Sequence, residues 1–142
     1  MRRLRPLGLG LALLAAASAA SAPSIDSALQ RVASAWPRGE VGAITGMAAR
    51  GGMTINVDGG SVGPLGSRQA AAALRRVLDD RHSVSARPTM SRTLGGQPAR
   101  AFGEITWSAR ARGTTMPERA TLFVAFVQER DGWRITEIRL MR

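Results

Sequence analysis

Three side chains in this 142-residue chain have a type and setting that suit acid–base chemistry: Asp58, His82 and Glu104. His82 is the sole imidazole, the side chain whose ordinary titration range best suits a general base near neutral pH. No carboxylate can be assigned to orient it, and the simpler reading is a residue at a helix C-terminus, where the dipole favours a cation. Asp58 precedes Gly59-Gly60 and reads either as a base reaching into a pocket or as turn chemistry. Glu104 alternates with Arg100 and is expected to pair with arginines on neighbouring strands, a contact worth ~0.2–1 kcal/mol. None of the three is assigned as catalytic, and an enzyme built on one of them is the alternative reading.

Two further groups suit binding. Met90, Ile105, Trp107, Trp133 and Ile135 are expected on the helix-facing side of a sheet, as an apolar pocket with Trp N–H handles or as a filled core. Arg87, Arg100, Arg110, Arg134 and Arg139 fall on the opposite parity, as an anion-binding patch or as a solvated face whose charge protects strand edges. Residues 59–66, GGSVGPLG, are Gly-rich but lack the Lys-Ser/Thr of a phosphate loop, and read as a flexible connection.

Composition narrows the chemistry. There is no Cys, which excludes disulfides, thiol nucleophiles, thiolate metal sites and lipoprotein acylation, and the single His excludes a multi-histidine metal site. There is no Tyr to act as a phenolic acid. No metal or other cofactor is expected. The 24 alanines make the large-side-chain core leaner than 44% hydrophobic residues suggests. The formal charge is +10, with every cation an Arg.

Residues 1–19 read as a secretory signal. Arg2, Arg3 and Arg5 form a positive start, residues 7–17 are apolar but too short to span a membrane, and small residues follow. Cleavage is placed after Ala19, with a later site after Ala22 made less suitable by Pro23. The expected product is an exported protein, periplasmic or secreted, with one domain over residues 20–142 and no transmembrane segment. Strong basicity normally suggests nucleic acid, but export argues against that partner.

Periodicity supplies the elements that must position these residues. Ser24 can cap a helix whose Ile25, Leu29, Val32 and Trp36 share a face, ended by Pro37. A short helix over 40–49, a strand over 53–58 and a helix over 67–81 capped by Ser67 follow. After His82 the period changes to two. Val84, Ala86, Met90 and Leu94 share one parity, and Ala101, Gly103, Ile105, Trp107 and Ala109 the next. Residues 120–127 are apolar on both parities and read as a central strand covered on both sides, which predicts a homodimer through the sheet. Asp131-Gly132 marks a hairpin. In the last strand Trp133 and Ile135 share a parity while Ile138 and Leu140 take the other, so a β-bulge is expected near Thr136-Glu137. The fold class is α+β, with a curved antiparallel sheet and three N-terminal helices on one face.

This pattern resembles the nuclear transport factor 2-like superfamily, which includes SnoaL-like and ketosteroid isomerase-like proteins. The resemblance covers roughly residues 24–141. It rests on the opening helix ending at Trp36, Met47-Ala48-Ala49, the strand Met53-Thr54-Ile55-Asn56-Val57, the helix start Gly66-Ser67-Arg68-Gln69-Ala70 and the tail Trp133-Arg134-Ile135-Thr136-Glu137-Ile138. It is greatest for small exported bacterial domains of unassigned function. The resemblance implies a cone-shaped sheet whose interior holds a ligand or active site, where enzymes of the group place an acid, His or Tyr. The expectation is a non-catalytic exported domain that binds a small apolar ligand or a protein partner in or around the cone. The alternatives are a SnoaL-like or isomerase-like enzyme and an Arg-rich module binding an anionic polymer.

Overall fold

The computed structural model describes residues 23–142, so the expected signal at residues 1–19, and its later cut at 22, lie outside the described residues. Helix α1 (Ile25–Ala35) begins as its sequence predicts: Ser24 Oγ accepts the Ser27 N–H at 3.2 Å, and the chain turns at Pro37. Helix α2 (Val41–Thr45) is shorter than the expected 40–49. Past Gly46 the chain joins the sheet: the Ile135 N–H donates to the Met47 carbonyl at 2.7 Å and the Ala49 N–H to the Ile135 carbonyl at 2.9 Å. Ladder bonds thus take the place of further helical turns, which glycine already weakens.

Strand β1 (Met53–Val57) is followed by a second strand where a flexible connection was expected, β2 (Gly60–Leu65). Val57 pairs with Gly60, leaving Asp58-Gly59 as a two-residue hairpin turn with φ of 50° and 85°. Positive φ at both positions matches the twist of the flanking strands, and Asp-Gly adopts it readily. Helix α3 (Ser67–Asp79) is capped by the Gly66 backbone rather than by Ser67, which is its first helical residue.

Strands β3 (Arg81–Leu94), β4 (Arg100–Ala111), β5 (Glu118–Glu129) and β6 (Gly132–Met141) form an antiparallel run, and β1 joins β6 in parallel. The result is a six-stranded curved, unclosed sheet in the order β2-β1-β6-β5-β4-β3, with the helices on one face. Helix α1 packs on β3 and β4, and α3 on the β1–β2 hairpin, with α2 against both helices. No helix among the described residues is long and apolar enough to cross a membrane.

The core lies between helices and sheet. Leu29 of α1 seats over Gly103 so closely that a Cβ there would come within 2.5 Å of a Leu29 methyl carbon. Ala101, Ile105, Trp107 and Ala109 of β4 are buried, as their parity predicts. Strand β5 is central and buries Ala120, Leu122, Val124 and Phe126, but no element among the described residues covers its other face, where Phe123 stacks on Phe102 at 5.4 Å. In β6 the ladder pairs Ala125 with Glu137 and Phe126 with Ile135, so Thr136 is the extra residue. This bulge turns Ile135, Ile138 and Leu140 all into the core.

Strand β3 departs from its expected parity. The ladder shifts between Ser83 and Ser85 and again between Pro88 and Met90, leaving Val84 and Thr89 as extra residues. Ser83, Ala86, Pro88, Ser91 and Thr93 therefore stand opposite the core-facing residues of β4, while Val84, Met90 and Leu94 are exposed. The bulges, Pro88 and the charge of Arg87 and Arg92 make this edge a poor template for another strand.

Because the Thr136 bulge returns both isoleucines to one face, Ile135→Ala and Ile138→Ala should each cost ~2–5 kcal/mol in urea melts. A cost near zero for either would show that the strand end is regular in solution.

Candidate functional site

The space beneath the C-terminal end of α1 is filled. Trp36, at the C-cap of α1, meets Trp107 of β4 edge to face, with ring centroids 5.5 Å apart and planes at 83°. Trp107 Nε1–H donates to Ser83 Oγ at 3.0 Å, whereas Trp36 Nε1–H has no acceptor among the described residues. Ile105 and Ile135 are fully buried beside them, and Trp133 packs partly buried against the same core. Met90 does not belong to this group. The bulge at Thr89 turns it to the outer face opposite Glu104, where it is 37% exposed. The five residues expected to line an apolar pocket thus divide into four core residues and one surface residue.

The open apolar volume lies elsewhere. Between α3 and the β1–β2 hairpin is a pocket of about 350 Å³. Ile55 and Val57 of β1, Val62 of β2, and Ala73 and Val77 of α3 line it. Spacing puts them there: Ile55 and Val57 are two apart on one strand face, and Ala73 and Val77 four apart on one helix face. Arg76, Asp80, Arg81 and Arg142 form the polar rim. Arg142 is held by Asp58 at 3.3 Å. Arg81, its side chain only 10% exposed, lies over the Trp107 ring at 5.9 Å and reaches Glu118 at 3.6 Å. The volume is at the lower end of the range for small-ligand sites, and its apolar lining with few charged groups matches their usual chemistry. Periodicity places these side chains on their element faces, but not the gap between the elements.

The acid–base candidates do not converge. Asp58 occupies the hairpin turn and pairs with Arg142. His82 is not at a helix end: α3 stops at Asp79, and His82 is an exposed residue of β3 opposite Arg110. Glu104 stands between Met90 and Phe123 rather than beside arginines, and it has no ion pair among the described residues. At ~3.3 Å per residue and ~4.8 Å between strands, the ladder separates Glu104 from His82 by about 20 Å and from Asp58 by about 16 Å. Neither His82 nor Asp58 is close enough to Glu104 to share a proton with it. Among the described residues no three His, Asp or Glu side chains gather as a metal-binding group.

The arginine group keeps its expected face and divides by partner. Arg134 is tied to Asp131 at 2.7 Å and to the Gly46 carbonyl at 2.9 Å. Arg139 is held by Glu137 at 2.8 Å and lies over Phe123 at 5.8 Å. Arg87, Arg100 and Arg110 are exposed and have no carboxylate partner among the described residues. Arg119 of β5 shares this outer face and is absent from the sequence-derived set. Its alternation with buried Ala120 and Leu122 was the signal that could have placed it there.

Comparison with solved structures supports the architecture. A DUF4783 family protein from Bacteroides ovatus aligns at a TM-score of 0.63 with 13% identity, over 78% of this chain and 90% of that one. A hypothetical protein with a ketosteroid isomerase-like fold from Catenulispora acidiphila, solved in complex with trimethylamine, aligns at 0.63 with 16% identity, over 86% and 87%. A domain of unknown function with a cystatin-like fold from Nostoc punctiforme aligns at 0.62 with 15% identity, over 82% and 76%. No protein-family model matches the chain, and no curated protein sequence matches it. The shared feature is the fold, and the chain has the nuclear transport factor 2-like architecture that its sequence resembles.

The left-handed backbone at Asp58 predicts its response to substitution. Asp58→Gly should stay within ~0.5 kcal/mol of the parent in urea melts, because glycine takes positive φ without a steric cost. Asp58→Val should lose ~1–2 kcal/mol. A loss above ~2 kcal/mol for Asp58→Gly would mean that the carboxylate does more than shape the turn and hold Arg142.

Proposed function

We propose that this nuclear transport factor 2-like domain is exported and non-catalytic, and that it takes a small, largely apolar ligand between α3 and the β1–β2 hairpin. The observation that carries this reading is the pocket of about 350 Å³, lined by Ile55, Val57, Val62, Ala73 and Val77 together with Arg76, Asp80, Arg81 and Arg142. The dispersal of Asp58, His82 and Glu104 supports a binding role over the isomerase-like alternative, which needs an acid or base at the buried site. Export rests on the charged, apolar and small-residue order of residues 1–19. Self-association belongs to the same proposal: Phe102, Phe123, Ala125 and Val127 form a half-buried strip on the outer face, over which no helix or strand of the described residues packs.

The neutral dye N-phenyl-1-naphthylamine should bind saturably with enhanced fluorescence. Ala73→Phe, which fills the pocket from α3, should abolish that signal while leaving the melting temperature within a few degrees. Dye binding unaltered by Ala73→Phe in a folded protein would place the apolar site elsewhere. Native mass spectrometry of protein recovered from its host tests the remaining elements together. The chain should begin near Ala20 or Pro23, appear as a dimer and carry a small-molecule adduct. A chain beginning at Met1 would overturn export, and a strict monomer at high micromolar concentration would overturn pairing through the sheet.

A further inference from the structure

We infer that the outer face of the sheet carries a second binding site, specific for a tetrahedral oxyanion such as a phosphate or sulfate group. Ser85, Arg87 and Thr89 of β3, Thr106 and Ser108 of β4 and Arg119 of β5 enclose a hollow of about 440 Å³. The ladder explains why they meet. Ser85 is opposite Ser108, Ser108 is opposite Arg119, and Arg87 is opposite Thr106, while the alternate residues Trp107, Ala109 and Ala120 face the core. Strands lie ~4.8 Å apart, so Arg87 and Arg119 flank β4 from its two sides with the Thr106 and Ser108 hydroxyls between them.

The chemistry of the hollow is one-sided. No carboxylate lines it, and neither Arg87 nor Arg119 has an ion pair among the described residues. Of the acids nearby, Glu104 lies on the next rung, between Met90 and Phe123, and Glu118, beside Arg119 in sequence, pairs with Arg81 at 3.6 Å. Thr89 already donates its hydroxyl proton to the Glu104 carbonyl at 3.3 Å, which leaves Ser85, Thr106 and Ser108 as hydroxyl donors. Two planar guanidinium forks and three hydroxyls outnumber what a planar carboxylate can accept, and they match the charge and spread of oxygens of a tetrahedral dianion. The hollow opens outward, so an ester could place its phosphate or sulfate there and leave the rest of the molecule in solvent. This site is separate from the α3 pocket and independent of it.

The test is amide NMR of the mature protein titrated with inorganic phosphate, inorganic sulfate and, at matched ionic strength, acetate. Phosphate and sulfate should produce saturable shifts centred on Ser85, Thr106 and Ser108, and acetate should not. Arg87→Gln and Arg119→Gln should each weaken binding by about ten-fold or more, while Arg75→Gln, an exposed change on α3, should leave it unaltered. Flotation with vesicles containing phosphatidic acid, a phosphomonoester lipid, distinguishes the source of the group. Vesicle binding lost in Arg87→Gln and competed by free phosphate assigns the site to a lipid headgroup, and phosphate binding without vesicle binding assigns it to a soluble ester. Absence of saturable shifts, or equal weakening by all three arginine substitutions, would overturn the inference.

Discussion

The edge-to-face contact of Trp36 and Trp107 is the interaction on which the arrangement of this molecule depends. It joins the end of α1 to the middle of β4 and fills the interior where the fold can hold a cavity. Two large rings bring more dispersion and apolar burial than any other pair in this alanine-rich core. Trp107 then determines its surroundings. Its N–H holds Ser83, which pins the start of β3, and its face carries Arg81, which reaches on to Glu118 of β5. With Trp36 and Trp107 filling the interior at the end of α1, the open volume lined chiefly by apolar side chains lies where small and β-branched residues separate α3 from the β1–β2 hairpin.

The β-bulges at Thr136, Val84 and Thr89 govern what each face of the β3–β6 run presents. The one at Thr136 brings Ile135, Ile138 and Leu140 to the same side and completes the core. Those at Val84 and Thr89 have the opposite effect on their strand, sending Val84, Met90 and Leu94 to solvent and bringing small or polar residues inward beneath α1. There Ser91 hydrogen-bonds Asp26 of α1, a polar contact between helix and sheet where β3 brings no large apolar residue. Irregularity in the ladder therefore builds the outer surface as much as the core does. Its two ends differ in chemistry: an aromatic and aliphatic strip around Phe102 and Phe123, and a hydroxyl-lined cationic hollow between Arg87 and Arg119.

The same geometry bears on function. Acid–base catalysis in a site of this kind needs a titratable group inside the apolar volume, but here Asp58, His82 and Glu104 are distributed over a turn and the outer face. The pocket beside α3 joins an apolar lining to the charged groups of Arg76, Asp80, Arg81 and Arg142. The two proposed sites lie on separate surfaces of one scaffold, whose chemistry is carried by its sites and not by its fold.

Local patterning was sufficient for most of the elements and for much of the core. The faces of α1, β4 and β5 follow from repeats of 3.6 or 2, and the Thr136 bulge shows in sequence because large apolar residues change parity across it. Strand β3 was not legible in the same way. Its core side carries Ser83, Ala86, Pro88, Ser91 and Thr93, so the apolar residues that guide a parity count were the ones turned outward by bulges. The Gly-rich residues 59–66 likewise hide an edge strand, because β2 is held by pairing with β1 and not by any side-chain pattern of its own. The α3 pocket and the Arg87–Arg119 hollow belong only to the tertiary structure. Each is a distance between elements remote in sequence, set by how the rings of Trp36 and Trp107 pack and by which rungs of the ladder align, and no periodicity within a single element encodes that distance.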